Sequence, residues 1–288
     1  MLCVEGLYKS YGDNSVLRGA SFKVPRGSIY GLIGRNGAGK TTIMNILAGL
    51  LTKDAGKVTF DGLEFKEGPR TNIGYLPDLP VFYEYMKAGE YMDFLLMGKE
   101  PAERDRLLDM VEISGKTAIS KMSRGMRQRL GIAATLTHDP EILLLDEPAS
   151  ALDPKGREDV NSILENLKSD NRVILFSTHI LSDIERVCDD YGFLNNGVIV
   201  PGSDLTDNNS VRFNVIFDKP ASFDEGAPEN VTVEKISPVS YRFITCDMSA
   251  EEAQKLIFSM AAGSGSIVKS IFNESLSPEY LFRELNSQ

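Results

Sequence analysis

The segment Gly34-Arg-Asn-Gly-Ala-Gly39-Lys40-Thr41 constrains this chain more than any other, because it fits the pattern G-x-x-x-x-G-K-[ST] between an apolar run and an amphipathic stretch. A strand that ends in a glycine-rich turn and opens directly into a helix aims backbone N–H groups and the positive end of the helix dipole at one spot. That arrangement suits phosphate oxygens. Lys40 adds a reaching positive charge, and Thr41 places a hydroxyl for Mg²⁺. Gly34, Asn36, Gly37, Ala38, Gly39, Lys40, Thr41 and Thr42 are therefore candidate contacts to a bound nucleotide. After the loop, Ile43, Ile46, Leu47, Leu50 and Leu51 recur at the spacing of one buried helical face.

A second apolar run, Ile142-Leu-Leu-Leu, ends in Asp146-Glu147-Pro148 and delivers two carboxylates at the end of a strand, where ligands of open α/β sheets bind. Asp146 is the expected Mg²⁺ partner. Glu147 is the expected base, or orienting group, for a water attacking a γ-phosphate. Residues 29–33, 142–145 and 173–176 lack polar alternation and read as buried parallel strands, each followed by helix. The polar stretch 203–210 reads as a linker. Beyond it, β-branched and aromatic enrichment predicts strands at 211–218, 231–236 and 241–246. A helix from Ala250 with the capping box Ser249/Glu252, a strand near 267–272 and a last helix opening at Ser277-Pro278 complete the expected small α+β domain, 211–288.

With these two motifs stand three others in a fixed order, and together they resemble the nucleotide-binding subunits of ABC transporters over about 1–202. Met122-Ser-Arg-Gly-Met-Arg-Gln-Arg-Leu130 resembles the ABC signature, Ser150-Ala-Leu-Asp153 the D-loop, and Ser177-Thr-His179 the histidine switch. The resemblance implies a P-loop NTPase cassette of the α/β class. Such a cassette has a mainly parallel core sheet, an antiparallel β subdomain and a helical signature subdomain, here about 79–136. It also implies ATP and Mg²⁺ as ligands, with Lys40, Glu147 and His179 catalytic. Tyr11 stands where the family stacks a ring on adenine, although a tyrosine closing a strand would look the same. Ser123 and Gly125 open a helix and so make an anion site, which in this family serves the ATP of a second subunit. The implied assembly is a homodimer, or a pair with a homologous ATPase subunit. Asp153 before Pro154 is also an ordinary helix cap, and the two roles coexist. His138 is expected only to close a turn.

The sequence departs from the family pattern in two places. Asp78, in Ile73-Gly-Tyr-Leu-Pro77-Asp78, stands where glutamine is usual. It is shorter by one methylene, on the order of 1.5 Å, but as a charged oxygen ligand it is expected to keep an Mg²⁺ contact, directly or through water. Arg124 replaces the first glycine of the signature, a variation that resembles exporters of drugs and peptide antibiotics. Between Asp78 and Met122 lies an insertion rich in aromatics and methionine, including Tyr85 and Tyr91. The family resemblance makes it the groove for integral membrane permease subunits, while internal packing accounts for most of the same residues.

A formal charge of −10 disfavours nucleic acid as a partner. The residues at 1–12 carry no basic stretch leading into a long apolar one, and no 18 apolar residues run together, so the chain is expected to sit at the inner face of the cell membrane only through partner subunits. Cys3, Cys188 and Cys246 lack disulfide or zinc spacing. A soluble ABC ATPase acting on ribosomes or DNA is the alternative; it predicts a second cassette, a coiled-coil insertion or basic tracts, and none is visible. A regulator without hydrolysis is disfavoured by the presence of Lys40, Asp146, Glu147 and His179 together.

Overall fold

The computed structural model describes residues 1–66, 68–150, 152–168, 171–202, 210–221, 223, 228 and 230–273. Chain contacts divide it into two units, Met1–Pro201 and Gly202–Gln288.

The first unit opens with a hairpin of β1 (Leu2–Tyr11) and β2 (Asn14–Val24), followed by β3 (Ser28–Ile33), the glycine-rich loop and α1 (Lys40–Ala48). Next come β4 (Ala55–Phe60), β5 (Leu63–Glu64) and β6 (Ile73–Leu76). Three helices follow, α2 (Ala88–Leu96), α3 (Pro101–Met110) and α4 (Arg124–Thr135). The chain then returns through β7 (Ile142–Asp146), α5 (Pro154–Lys168), β8 (Val173–Thr178), α6 (Leu181–Val187), β9 (Asp190–Asn195) and β10 (Val198–Pro201).

These strands form two sheets. One is antiparallel, in the order β2-β1-β4-β5, and the other runs β10-β9-β3-β8-β7-β6. In the second sheet β9, β3, β8, β7 and β6 are mutually parallel and only β10 runs against its neighbour. The apolar runs read from sequence are its centre: every residue of β7 and β8 is buried, as strands covered on both faces require. Leu2, Val4 and Leu7 of the antiparallel sheet share one core with Ile43, Met44 and Leu47 of α1, and with Leu144 and Leu175 of the parallel sheet. The glycine-rich loop is thus clamped between both layers.

The expected apolar face of α1 is shorter than its spacing suggested. Ile43, Ile46 and Leu47 are buried, but the helix stops at Ala48 and Leu50 is 62% exposed. Gly49 ends it with φ 77°, its N–H bonding to Ile46 O while Leu50 N–H bonds to Asn45 O. A side chain at Gly49 would stand 2.0 Å from Gly68 O, so only glycine lets the next loop pass this close.

In the insertion, α2, α3 and α4 are helical as expected, but residues 81–86 are irregular backbone and turn. Phe82, Met92 and Leu96 face inward, whereas Val81, Tyr83, Tyr85, Phe94 and Met97 remain exposed.

The second unit places β11 (Ser210–Phe217), β12 (Val231–Ser237), β13 (Ser240–Cys246) and β14 (Val268–Asn273) in one antiparallel sheet, with α7 (Ala250–Gly263) between β13 and β14 in sequence. Phe213, Val215, Phe217, Tyr241 and Phe243 pack with Ala253, Ile257 and Ala261 of the helix. The capping box is formed, with Ser249 Oγ accepting from Glu252 N–H and Glu252 Oε2 accepting from Ser249 N–H at 2.9 Å. Ser210, read from sequence as the last linker residue, instead opens β11 and pairs with Cys246. The rest of that linker, 203–209, and the helix expected from Ser277-Pro278 lie outside the described residues.

Candidate functional site

The loop after β3 is shaped by its glycines. At Gly39 φ is 110° and a Cβ would lie 2.9 Å from Val16 Cγ1, so both conformation and space demand glycine where α1 begins. No side chain caps α1. Its first-turn N–H groups therefore remain available to a ligand. Lys40, 6% exposed, folds back so that Nζ donates to Gly34 O at 2.7 Å. Asn36 and Gly37 are exposed at the loop's tip, Ala38 N–H donates to Arg35 O, and Thr42 is half-buried behind Thr41.

β7 lies two strands from β3, with β8 between them, so the ends of all three reach one edge of the sheet. There Thr41 Oγ1 donates to Asp146 Oδ2 at 2.6 Å. Asp146 is 1% exposed. Glu147 takes φ 51°, an uncommon backbone conformation for a residue with a side chain and one that recurs at functional sites. Its Oε1 approaches Lys40 Nζ to 3.1 Å, an ion-pair distance at angles that do not make a hydrogen bond, so this buried oxygen has no hydrogen-bond partner. Its Oε2 lies 2.8 Å from Nδ1 of His179. The carboxylate is thus set between a cation and an imidazole, with one oxygen left to accept a proton or orient water.

One residue binds these parts together that sequence reasoning had quoted only as part of a motif. Ser177, fully buried near the end of β8, donates through Oγ to Asp146 Oδ1 at 2.5 Å and accepts from Glu147 N–H at 3.0 Å. A serine closing a strand of otherwise apolar residues is the signal that could have singled it out, since a buried hydroxyl must find partners.

The oxygens of Thr41 and Asp146 are hard donors that already converge, and they fit Mg²⁺, which takes one or two protein ligands with phosphate and water. For Asp78, expected as a further ligand directly or through water, Oδ1 accepts from Ser150 Oγ at 3.1 Å, and the Arg124 guanidinium stands 3.9 Å away. The two departures from the family pattern therefore face each other within one chain. Being a methylene shorter than glutamine, Asp78 meets the hydroxyl and the charge nearest its own strand end.

The remaining candidates lie apart from this cluster. Ser123 caps α4, its Oγ accepting from Met126 N–H at 3.2 Å, and Gly125 follows in the first turn with room for no more than ordinary contact to Leu152. Asp153 performs its capping role, Oδ1 accepting from Gly156 N–H at 2.8 Å. Tyr11 ends β1, 50% exposed, with Lys9 Nζ 5.8 Å from its ring centroid. His138 is exposed in the turn after α4.

A family model described as ABC transporter matches residues 17–150. The lantibiotic transport ATP-binding protein SrtF of Streptococcus pyogenes is 38% identical over 204 residues, covering 69% of this chain and 89% of that protein. The chain belongs to the ABC transporter ATPase family. The bacitracin transport ATP-binding protein BcrA of Enterococcus faecalis is 37% identical over 205 residues, 68% of this chain and 67% of its own. A solved ATP-binding subunit of an ABC transporter superimposes with a TM-score of 0.61 at 31% identity, covering 69% of this chain and 88% of that one. The two relatives and the solved structure each cover about as much of the chain as the first structural unit, and the family model lies within that unit. Among the described residues of this cassette, no helix is long and apolar enough to cross a membrane.

Proposed function

We propose that this chain is one of two cassettes that close over ATP at the inner face of a membrane and, by hydrolysing it, drive separate permease subunits that export a peptide-antibiotic type of substrate. The carrying observation is the convergence of Lys40, Thr41, Asp146, Glu147, Ser177 and His179 at one sheet edge. In this reading the loop N–H groups and Lys40 hold the β- and γ-phosphates, and Tyr11 stacks on the adenine. Glu147 accepts the proton of the attacking water, and His179 orients Glu147 and touches the γ-phosphate. Thr41 and Asp146 would hold Mg²⁺, with Asp78 reaching it through water, and the ion would supply charge neutralisation at the phosphates.

Ser123, Gly125 and Asp153 lie on elements separate from that cluster, and the start of α4, with its dipole's positive end, suits the phosphates of a nucleotide held by the opposite copy. Nucleotide then does work because it favours the closed pair over the open one; equal affinity for both would shift nothing. The exposed Val81, Tyr83, Tyr85, Phe94 and Met97 offer the permease an apolar surface beside α2. Names of relatives that transport a lantibiotic and bacitracin support the substrate class. Glu147→Gln tests the proposal: the variant should bind Mg-ATP, accumulate as a dimer in sedimentation, and lose turnover. Hydrolysis at the unaltered rate would remove Glu147 from its role.

A further inference from the structure

Beneath His179 the structure holds a buried acid that the hydrolytic cluster does not use. Asp183, in the first turn of α6, and Asn161, in the middle of α5, are each 4% exposed. Asn161 Nδ2 donates to Asp183 Oδ1 at 3.3 Å. The other oxygen of each group, Asp183 Oδ2 and Asn161 Oδ1, is buried without a hydrogen-bond partner. Turning the amide over does not repair this, because it would set two acceptor oxygens against each other at the bonded position.

A carboxylate cannot satisfy the amide oxygen, since it has no hydrogen to give. A carboxylic acid can. With a proton on Oδ2, the acid and the amide make two parallel hydrogen bonds, Asn161 Nδ2–H to Asp183 Oδ1 and Asp183 Oδ2–H to Asn161 Oδ1, after small rotations about soft terminal torsions. Both orphan oxygens are then paired.

Among the described residues no charged group stands within ion-pair distance of the Asp183 carboxyl. Arg157, one turn before Asn161 on α5, has a buried Nε without a partner of its own. Arg186, on α6, lies within ion-pair distance of Glu158 and Glu165. His179, just before α6, is engaged with Glu147. Burial pushes the Asp183 carboxyl up from the ordinary carboxylate range, against the pull of Asn161, Arg157, His179 and Arg186 in the other direction.

We propose that Asp183 is held as the neutral acid in a reciprocal pair with Asn161, and that this pair is a positioning contact for His179. Ile180 is the N-cap of α6 and its carbonyl accepts from the Asp183 backbone N–H at 3.3 Å, so the side chain that pairs with Asn161 springs from the turn that immediately follows the histidine. Asn161 belongs to the helix that starts right after Asp153. The acid–amide pair thus ties the turn after the histidine that reaches Glu147 to the helix that follows the D-loop. The positioning role rests on the proposed hydrolytic function; the neutral state of Asp183 does not.

Asp183→Asn is the discriminating variant, because a second amide makes the same two-bond pair without a proton, whereas Asp183→Ala and Asn161→Ala break it. In the nucleotide-free full chain, at a pH above the ordinary carboxylate range, infrared spectroscopy should show a protonated-carboxyl C=O band in the wild type that disappears in Asp183→Asn. The folded state holds its proton to higher pH than the unfolded chain does. Wild-type stability should therefore fall as pH rises from the unfolded carboxyl value to the folded one, and this site's share of that slope should vanish in Asp183→Asn.

In turnover, Asp183→Asn should stay within about twofold of wild type, while Asp183→Ala and Asn161→Ala should lose roughly tenfold or more in kcat with KM changed less. Absence of the band, together with Asp183→Asn as damaging as alanine, would overturn the neutral pair. Alanine variants with wild-type kcat would overturn the positioning role. If Glu147→Gln retains activity, the hydrolytic reading fails separately, and the infrared and stability results still decide the state of Asp183.

Discussion

Replacing Ser177 by alanine removes one hydroxyl and strands two groups. In the native site the Oγ donates to Asp146 Oδ1 and accepts from Glu147 N–H, and the serine is completely buried, so no water stands ready to substitute. Leaving such groups unsatisfied costs about 1–3 kcal/mol, with bonds to a charged acceptor at the upper end. Part of that cost falls on folding, and Ser177→Ala should unfold at a measurably lower temperature. The rest falls on catalysis, because Asp146 keeps Thr41 as its remaining partner and Glu147 loses the anchor of its strained backbone. If the whole 1–3 kcal/mol were realised in the transition state, turnover would fall roughly 5- to 150-fold. Steady-state phosphate release with saturating Mg-ATP, run beside thermal unfolding of the same preparation, measures both shares. A variant with wild-type melting and wild-type kcat would refute the reasoning, since neither bond would then contribute.

Three further outcomes follow from the geometry. Gly39→Ala forces a side chain into φ 110° and against Val16, so it should cost roughly 1–3 kcal/mol of stability and abolish nucleotide binding by filter or fluorescence assay; retained affinity would show that the loop tolerates a Cβ. Tyr85, 82% exposed, makes little of the core, so Tyr85→Glu should leave basal ATPase activity intact and remove its stimulation by permease subunits in vesicles. Burial pushes the Cys188 thiol far up while Cys246 is exposed, so near neutral pH a thiol reagent should label Cys246 quickly and Cys188 only after unfolding, as read by mass spectrometry.

Much of this architecture was legible because its determinants are local. The glycine-rich loop carries its own conformational requirements, and the apolar runs at β3, β7 and β8 identify buried parallel strands without reference to distant residues. Asp146 and Glu147 were legible for the same reason, as charge at the end of a run that otherwise excludes it. What escaped was set by tertiary approach. The exposure of Leu50 follows from the left-handed helix stop at Gly49, and the spacing of the apolar residues does not report that. The bridging role of Ser177 exists only once β8 is seated beside β7, with Asp146 paired to Ser177 in register. The contacts of Asp78 with Ser150 and Arg124 likewise depend on the packing of three separate segments.

Cooperation between two copies is tested most directly by specific ATPase activity measured against chain concentration, from well below to well above the range in which Mg-ATP brings copies together. Activity per chain should climb with concentration and level off, and Ser123→Ala chains mixed with Glu147→Gln chains should regain part of the rate that each lacks alone. Constant activity per chain at every dilution would mean that a single copy completes the reaction by itself.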